Sequence, residues 1–170
     1  MDEPDARDVV AEALFRPHQG GKMPSAAYVS EEGDLLTALK YTYLFWPKLV
    51  EVEGAVIIVL DGNVYDEVIG RLAQRGDSSS SWTDAVDSFN WFELCYLFRQ
   101  WYDLGDWHMD TSRELGQVLV RAWRARLLEA YPDREFLVRL LEPTDDWDPR
   151  IEVVQVAPPL LTPDSWRAAS

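Results

Sequence analysis

The sequence predicts an α+β fold, in which an antiparallel sheet of about four strands, arranged as two hairpins, packs against four to five helices. A run rich in β-branched residues over 49–60 is divided by Gly54, and two further runs, 136–142 and 151–156, are joined by a short polar connection. Most other apolar residues recur at helical spacing. Strands and helices do not alternate regularly along the chain, which argues against a parallel doubly wound sheet.

Length and composition predict a single domain over residues 1–170. With 47% hydrophobic residues and eight tryptophans, the chain can bury a substantial core. We expect a loop-rich segment over 16–33, where proline and glycine break any period, and an extended Pro-rich tail over 158–170. The only cysteine, Cys95, cannot form an intrachain disulfide and is interpreted as a buried small hydrophobic residue.

The segment from Asp34 to Leu60 predicts a buried helix followed by a hairpin. Asp34 can accept a hydrogen bond from an amide of the first helical turn, and apolar residues on most faces are typical of a helix enclosed by the core. Pro47 should end the helix. Gly54 favours a tight hairpin, and the unbroken apolar run 55–60 should be covered on both faces.

The remaining helices are predicted from capping signals and apolar stripes. Short helices are expected over 4–15 and 64–75. A helical pattern resumes near Asp84, and Asn90 with Glu93 has the spacing of a capping box that restarts it. The longest amphipathic helix should begin at Thr111.

The net charge of the chain limits the classes of ligand that it is expected to bind. The net charge is −14; residues 1–110 hold 20 acids against 8 bases, whereas residues 111–170 hold 10 against 8. Direct nucleic-acid binding is therefore not expected, and a basic protein partner would be attracted, although acidity also simply favours solubility. The start of the chain is acidic and no apolar run reaches membrane-spanning length, so a cytoplasmic protein without a membrane contact is expected. Oligomeric state is left open.

A polar loop predicted over 103–110 carries the best candidate for chemistry. Its carboxylate oxygens and imidazole could coordinate Zn²⁺ or Mn²⁺, which would make the chain a small metal-dependent hydrolase. The spacing matches no established metal motif, and Asp110 could instead cap the next helix. No other cofactor is expected. The candidate metal ligands are Asp103, Asp106, His108 and Asp110.

Tryptophans beside carboxylates recur in the predicted loops. Aromatic rings supply affinity at an interface, and carboxylates steer a basic partner toward it. The alternative is that these rings cover the ends of the sheet as peripheral core. The sequence favours a non-enzymatic, acidic protein-binding module, comparable in composition to an immunity protein or antitoxin, over the hydrolase. The residues expected to bind the partner are Trp82, Asp106, Trp107, Asp145, Asp146, Trp147 and Asp148.

Overall fold

A computed structural model describes residues 33–60, 66, 70, 81–97, 106–144, 147–164 and 166, with the backbone alone for 106–110. Its helices and antiparallel strands confirm the predicted α+β class. The elements of the described residues are α1 (Leu35–Phe45), β1 (Lys48–Val52), β2 (Ala55–Val59), α2 (Trp82–Phe89), β3 (Trp91–Glu93), α3 (Leu94–Leu97), α4 (Asp106–Ala130), β4 (Glu135–Leu141) and β5 (Arg150–Ala157).

Several predicted segments lie outside the described residues. These are the helix over 4–15, the loop-rich segment over 16–33 apart from Gly33, and the helix over 64–75 apart from Asp66 and Gly70, which are both helical. Among the helices that are described, none is both long enough and apolar enough to cross a membrane.

The strands of the described residues form two antiparallel sheets instead of the single predicted sheet. β1 and β2 make the predicted hairpin, and Glu53 and Gly54 at its tip have φ angles of 48° and 82°, as a two-residue type I′ turn requires. In the second sheet, β5 lies between β3 and β4 and is antiparallel to both. The hairpin of β4 and β5 was predicted, whereas β3 was not.

The segment around β3 shows why that strand was missed. The capping box of α2 is formed by Ser81 and Asp84, whose backbone N–H groups each donate to the other's side chain, at 3.0 and 3.1 Å. Asn90 ends this helix, so the predicted helix start at Asn90 and Glu93 is wrong. Pairing of β3 with β5 outweighs the local capping signal.

Two buried side-chain amides join the two sheets. The Ile58 N–H donates to Asn90 Oδ1 at 3.0 Å, and Asn90 Nδ2 donates to the Val56 carbonyl at 2.8 Å. The Val56 N–H donates to Gln155 Oε1 at 3.2 Å. These amides therefore satisfy the backbone along the edge of β2 that faces away from β1, where another strand would otherwise be needed.

Strand β2 has a hydrophobic cluster on each face, as its unbroken apolar run predicts. The first cluster extends beneath α4, and the second is closed by α2 together with Leu160 and Trp166 of the predicted Pro-rich tail. The buried residues of the first cluster are Val56, Ile58, Leu94, Leu119, Val120, Trp123, Leu127, Val138, Ile151 and Val153, and those of the second are Val50, Ala55, Ile57, Val59, Trp82, Ala85 and Val86.

Helix α1 departs most from its prediction. The Leu36 N–H donates to Asp34 Oδ1 at 2.9 Å, and the helix ends at Phe45, so both of its boundaries were predicted correctly. No residue of the helix is buried, however; Leu44 and Phe45 pack partly against the first cluster. The predicted buried helix is wrong because no layer of the described residues covers the apolar residues on its other faces.

Helix α4 packs on β4 and anchors α1. Trp123 Nε1 donates to the Leu44 carbonyl at 2.7 Å, so a residue of the core holds the C-terminal end of α1. Arg124 donates from Nε and Nη2 to the Val138 carbonyl, at 3.1 and 2.6 Å, along the edge of β4 that β5 does not occupy. The helix begins at Asp106, earlier than the predicted start at Thr111.

Candidate functional site

The tryptophans predicted to dock a partner lie in different environments. Trp82 is only 3% exposed and packs edge to face against Trp166, with ring centroids 5.3 Å apart. It therefore belongs to the second cluster and not to an exposed surface. Trp147, by contrast, is 43% exposed. Asp145 and Asp146 lie outside the described residues, as do the side chains of Asp106 and Trp107.

The candidate metal ligands are placed only in part. Asp106, His108 and Asp110 belong to α4, so the polar loop predicted over 103–110 is wrong from residue 106 onward. Helical geometry turns position 108 about 200° away from position 106, so these three positions do not share one face. Asp103 lies outside the described residues. Among the side chains that are described, no group of three or more His, Cys, Asp or Glu residues could hold a metal ion.

Trp147 contacts a second indole that was not among the residues predicted to bind a partner. Its ring centroid lies 4.6 Å from that of Trp91, with a 53° angle between the planes, and Trp91 is itself 37% exposed. A tight turn holds Trp147 in place: the Thr144 N–H donates to the Trp147 carbonyl at 2.7 Å, and the reverse bond is 3.3 Å. The result is an exposed aromatic pair in which the Trp147 backbone is hydrogen-bonded to that of Thr144.

Trp91 was missed because its segment was predicted to be helical. In β3, Phe92 points inward and packs edge to face on Trp123, with centroids 5.0 Å apart. Trp91 and Glu93 therefore lie on the opposite, outer face of the strand. The two adjacent aromatic residues of Trp91-Phe92-Glu93 show no alternation of apolar and polar residues, so periodicity gave no signal for a strand here.

An arginine stacks on the aromatic pair. The Arg150 guanidinium carbon lies 5.3 Å from the centre of the Trp91 ring. Arg150 Nε and Nη1 are buried and have no hydrogen-bond partner among the described residues. Because a cation is attracted to the face of an indole, this stacking helps to position Trp91.

Carboxylates flank the two rings. Glu152 lies opposite Trp91 in the strand register, and Glu93 lies opposite Arg150 on the same face. Two arginines offset part of the negative charge: Arg150 and Arg139, whose Nε is 2.6 Å from Glu152. We define the indole surface as Trp91, Trp147, Asp87, Glu93, Asp148 and Glu152.

The environments of two carboxylates of the indole surface are distinct. Burial, followed by the charges of Glu152 and Asp84, raises the pKa of Asp87, and its Oδ1 is buried without a hydrogen-bond partner among the described residues. Asp148 instead accepts a hydrogen bond from the Cys95 thiol. Burial and this bond raise the pKa of Cys95 to about 12. Cys95 is thus a protonated, buried residue that helps to orient Asp148, and its predicted burial is confirmed.

The side chains of the indole surface have the chemistry that non-covalent binding can use. The rings offer apolar area, and the carboxylates can accept hydrogen bonds from lysine or arginine. Comparisons with protein-family models, curated proteins and solved structures give no match in any of the three.

Proposed function

We propose that this chain is a protein-binding module whose indole surface docks a basic protein partner, as an immunity protein or antitoxin covers a cationic target. The observation that carries the proposal is the contact between Trp91 and Trp147, because both rings remain more than a third exposed. Tryptophans are among the residues that contribute most to binding energy at protein interfaces. The exposed pair of Trp91 and Trp147 rings can therefore serve as the main contact with a partner.

Charge supports a basic partner over an acidic or neutral one. The chain carries a net charge of −14, and four of its carboxylates belong to the indole surface, with Arg139 and Arg150 nearby. A field of one sign accelerates encounter with the opposite sign and disfavours like-charged competitors. The rings would then supply affinity after encounter.

Preorganisation also supports docking at this place. Trp147 is held by its turn to Thr144, and the Leu94 N–H donates to the Pro149 carbonyl at 3.0 Å, which ties the β4–β5 connection to the end of β3. Groups that are already ordered lose less conformational entropy on binding. The exposed indoles are therefore presented by a braced backbone.

A selection from a library of short random displayed peptides tests this proposal without a known partner. We expect peptides bound by the wild-type chain to be enriched in lysine and arginine beside an apolar residue. The dissociation constant of a selected peptide should rise at least about tenfold on Trp147→Ala, because an anchoring ring is lost. It should also rise between about 50 and about 300 mM NaCl, because exposed charges are screened.

Trp46→Ala is the matched control, since Trp46 is 47% exposed but lies at the end of α1 beside Arg126. Peptide binding should be unchanged by this substitution. Enrichment without basic residues, affinity that does not change with salt, or equal losses from Trp46→Ala and Trp147→Ala would each contradict docking at the indole surface.

A further inference from the structure

Helix α1 presents a second exposed apolar face, separate from the indole surface. Leu35, Leu36, Leu39 and Tyr43 are 62–80% exposed. At 3.6 residues per turn their positions fall within an arc of about 100°, so they form one continuous stripe. Trp46 follows the helix in a non-helical conformation and lies beside Arg126, so it is not part of this stripe. We call Leu35, Leu36, Leu39 and Tyr43 the α1 stripe.

The α1 stripe is larger than scattered surface residues require. At the observed exposures, three leucines and a tyrosine present on the order of 500 Å² of apolar area, which lies within the upper part of the range for the largest patches on monomeric proteins. A stable interface buries roughly 800 Å² on each partner. The α1 stripe with a modest polar rim therefore has the area that one side of a stable dimer needs.

The helix that carries the stripe is braced from behind. Leu44 and Phe45 pack partly on the first cluster, and Trp123 Nε1 donates to the Leu44 carbonyl. Arg126 Nε donates to the Pro47 carbonyl at 3.2 Å, just beyond the helix. A face held in this way can meet a partner without first becoming ordered.

Charge identifies which partner suits the stripe. In a two-fold symmetric contact every residue meets the same patch of the other copy, so a charged patch would repel itself. The sequence from Leu35 to Phe45 contains one charged residue, Lys40, whereas the indole surface contains four carboxylates. In a chain of net charge −14, the α1 stripe is thus an exposed apolar face on which two copies can approach with little repulsion.

We propose that the α1 stripe is the contact between two copies of this chain, with the two α1 helices packed side by side about a two-fold axis. Leu39 lies near the middle of the 11-residue helix, which is about 16 Å long. It therefore meets or closely approaches its own counterpart across the axis.

Sedimentation velocity of the full-length chain from about 1 to about 100 μM tests the dimer. We expect the wild type to dimerise, and Leu39→Glu to raise the dimer dissociation constant by about 100-fold or more, since one substitution changes both sides of a symmetric contact. Leu161→Glu is the matched control, because Leu161 is a 79% exposed leucine outside α1. It should leave the dissociation constant within about threefold.

Mixing two variants tests the two-fold geometry itself. Leu39→Glu and Leu39→Lys should each be monomeric alone, and an equimolar mixture should form heterodimers because opposite charges then meet across the axis. A monomeric wild type, including one whose stripe is covered by residues 1–32, overturns the proposal. A dimer insensitive to Leu39→Glu, equal dissociation by Leu161→Glu, or no pairing in the mixture also overturns it.

Discussion

The two hydrophobic clusters that flank β2 each bury one tryptophan, but the two indole N–H groups meet different surroundings. Trp123 in the first cluster is 0% exposed and donates to the Leu44 carbonyl at 2.7 Å. Trp82 in the second cluster is 3% exposed, yet its Nε1 has no hydrogen-bond partner among the described residues. Equal burial therefore does not imply equal stabilisation, since an unpaired buried donor loses its hydration without compensation.

Trp82 and Trp123 can be compared only if the two clusters unfold together as one cooperative unit. Asn90→Ala tests this, and of the substitutions considered we expect it to lower the free energy of unfolding most. The substitution leaves the Ile58 N–H and the Val56 carbonyl unpaired at the junction of the sheets. We expect the free energy of unfolding to fall by about 4 kcal/mol. Urea unfolding followed by tryptophan fluorescence and by circular dichroism should still give one coincident transition.

Gln155→Ala is the control for Asn90→Ala, because its two bonds to the hairpin backbone are longer, at 3.2 Å each. It should destabilise the chain less. Two separated transitions in either variant would show that the clusters unfold independently. The effects of the two tryptophans could then not be expressed as changes in a single free energy of unfolding.

Trp123→Phe tests the first cluster, in which the indole N–H has a hydrogen-bond acceptor. The change leaves a cavity in the first cluster and deprives the Leu44 carbonyl of its donor. The expected loss in the free energy of unfolding is about 3 kcal/mol, and α1 should become less protected from amide hydrogen exchange because its C-terminal end is no longer held. A loss below about 1 kcal/mol would contradict this role for the hydrogen bond.

Trp82→Phe is the matched substitution in the second cluster. It removes similar volume but also removes a donor that has no partner among the described residues. We expect a loss of about 1 kcal/mol, clearly smaller than that for Trp123→Phe, by the same urea titration. Equal losses for the two substitutions would show that hydrogen bonding does not distinguish the clusters.

Asp87→Asn should change the free energy of unfolding least, and it tests whether the charge of Asp87 in α2 lowers stability. The raised pKa of Asp87 means that its protonated form is favoured by folding, so its ionisation lowers stability as pH rises through that pKa. At pH 7 the variant should be more stable than the wild type by about 0.5 kcal/mol, and this gain should disappear as pH falls toward 4. A gain independent of pH would exclude the carboxylate as its cause.

The sequence predicted those features whose signals are local. The cap at Asp34, the stop at Pro47 and the hairpin at Gly54 each depend on backbone chemistry within a few residues. Strand β3 could not be predicted in the same way, because Asn90 and Glu93 match a capping box and only the distant strand β5 selects the extended form.

The candidate site was predicted in part for the same reason. Trp147 and Asp148 were identified from their composition, and the structure adds Trp91 through a contact across the second sheet. Trp82 was misplaced because a tryptophan beside a serine-rich segment carries no signal of the cluster that encloses it. Periodicity likewise showed that α1 is apolar without showing which of its faces lacks a covering layer.

The two hydrogen bonds from Arg124 to the Val138 carbonyl have a consequence for how copies of this chain avoid one another. An exposed strand edge is a template on which a neighbouring molecule can add its own strand and polymerise. Arg124 occupies one of the outward-facing acceptors near the middle of β4 with a charged side chain. The edge of β4 is thereby guarded against open-ended growth into fibrils.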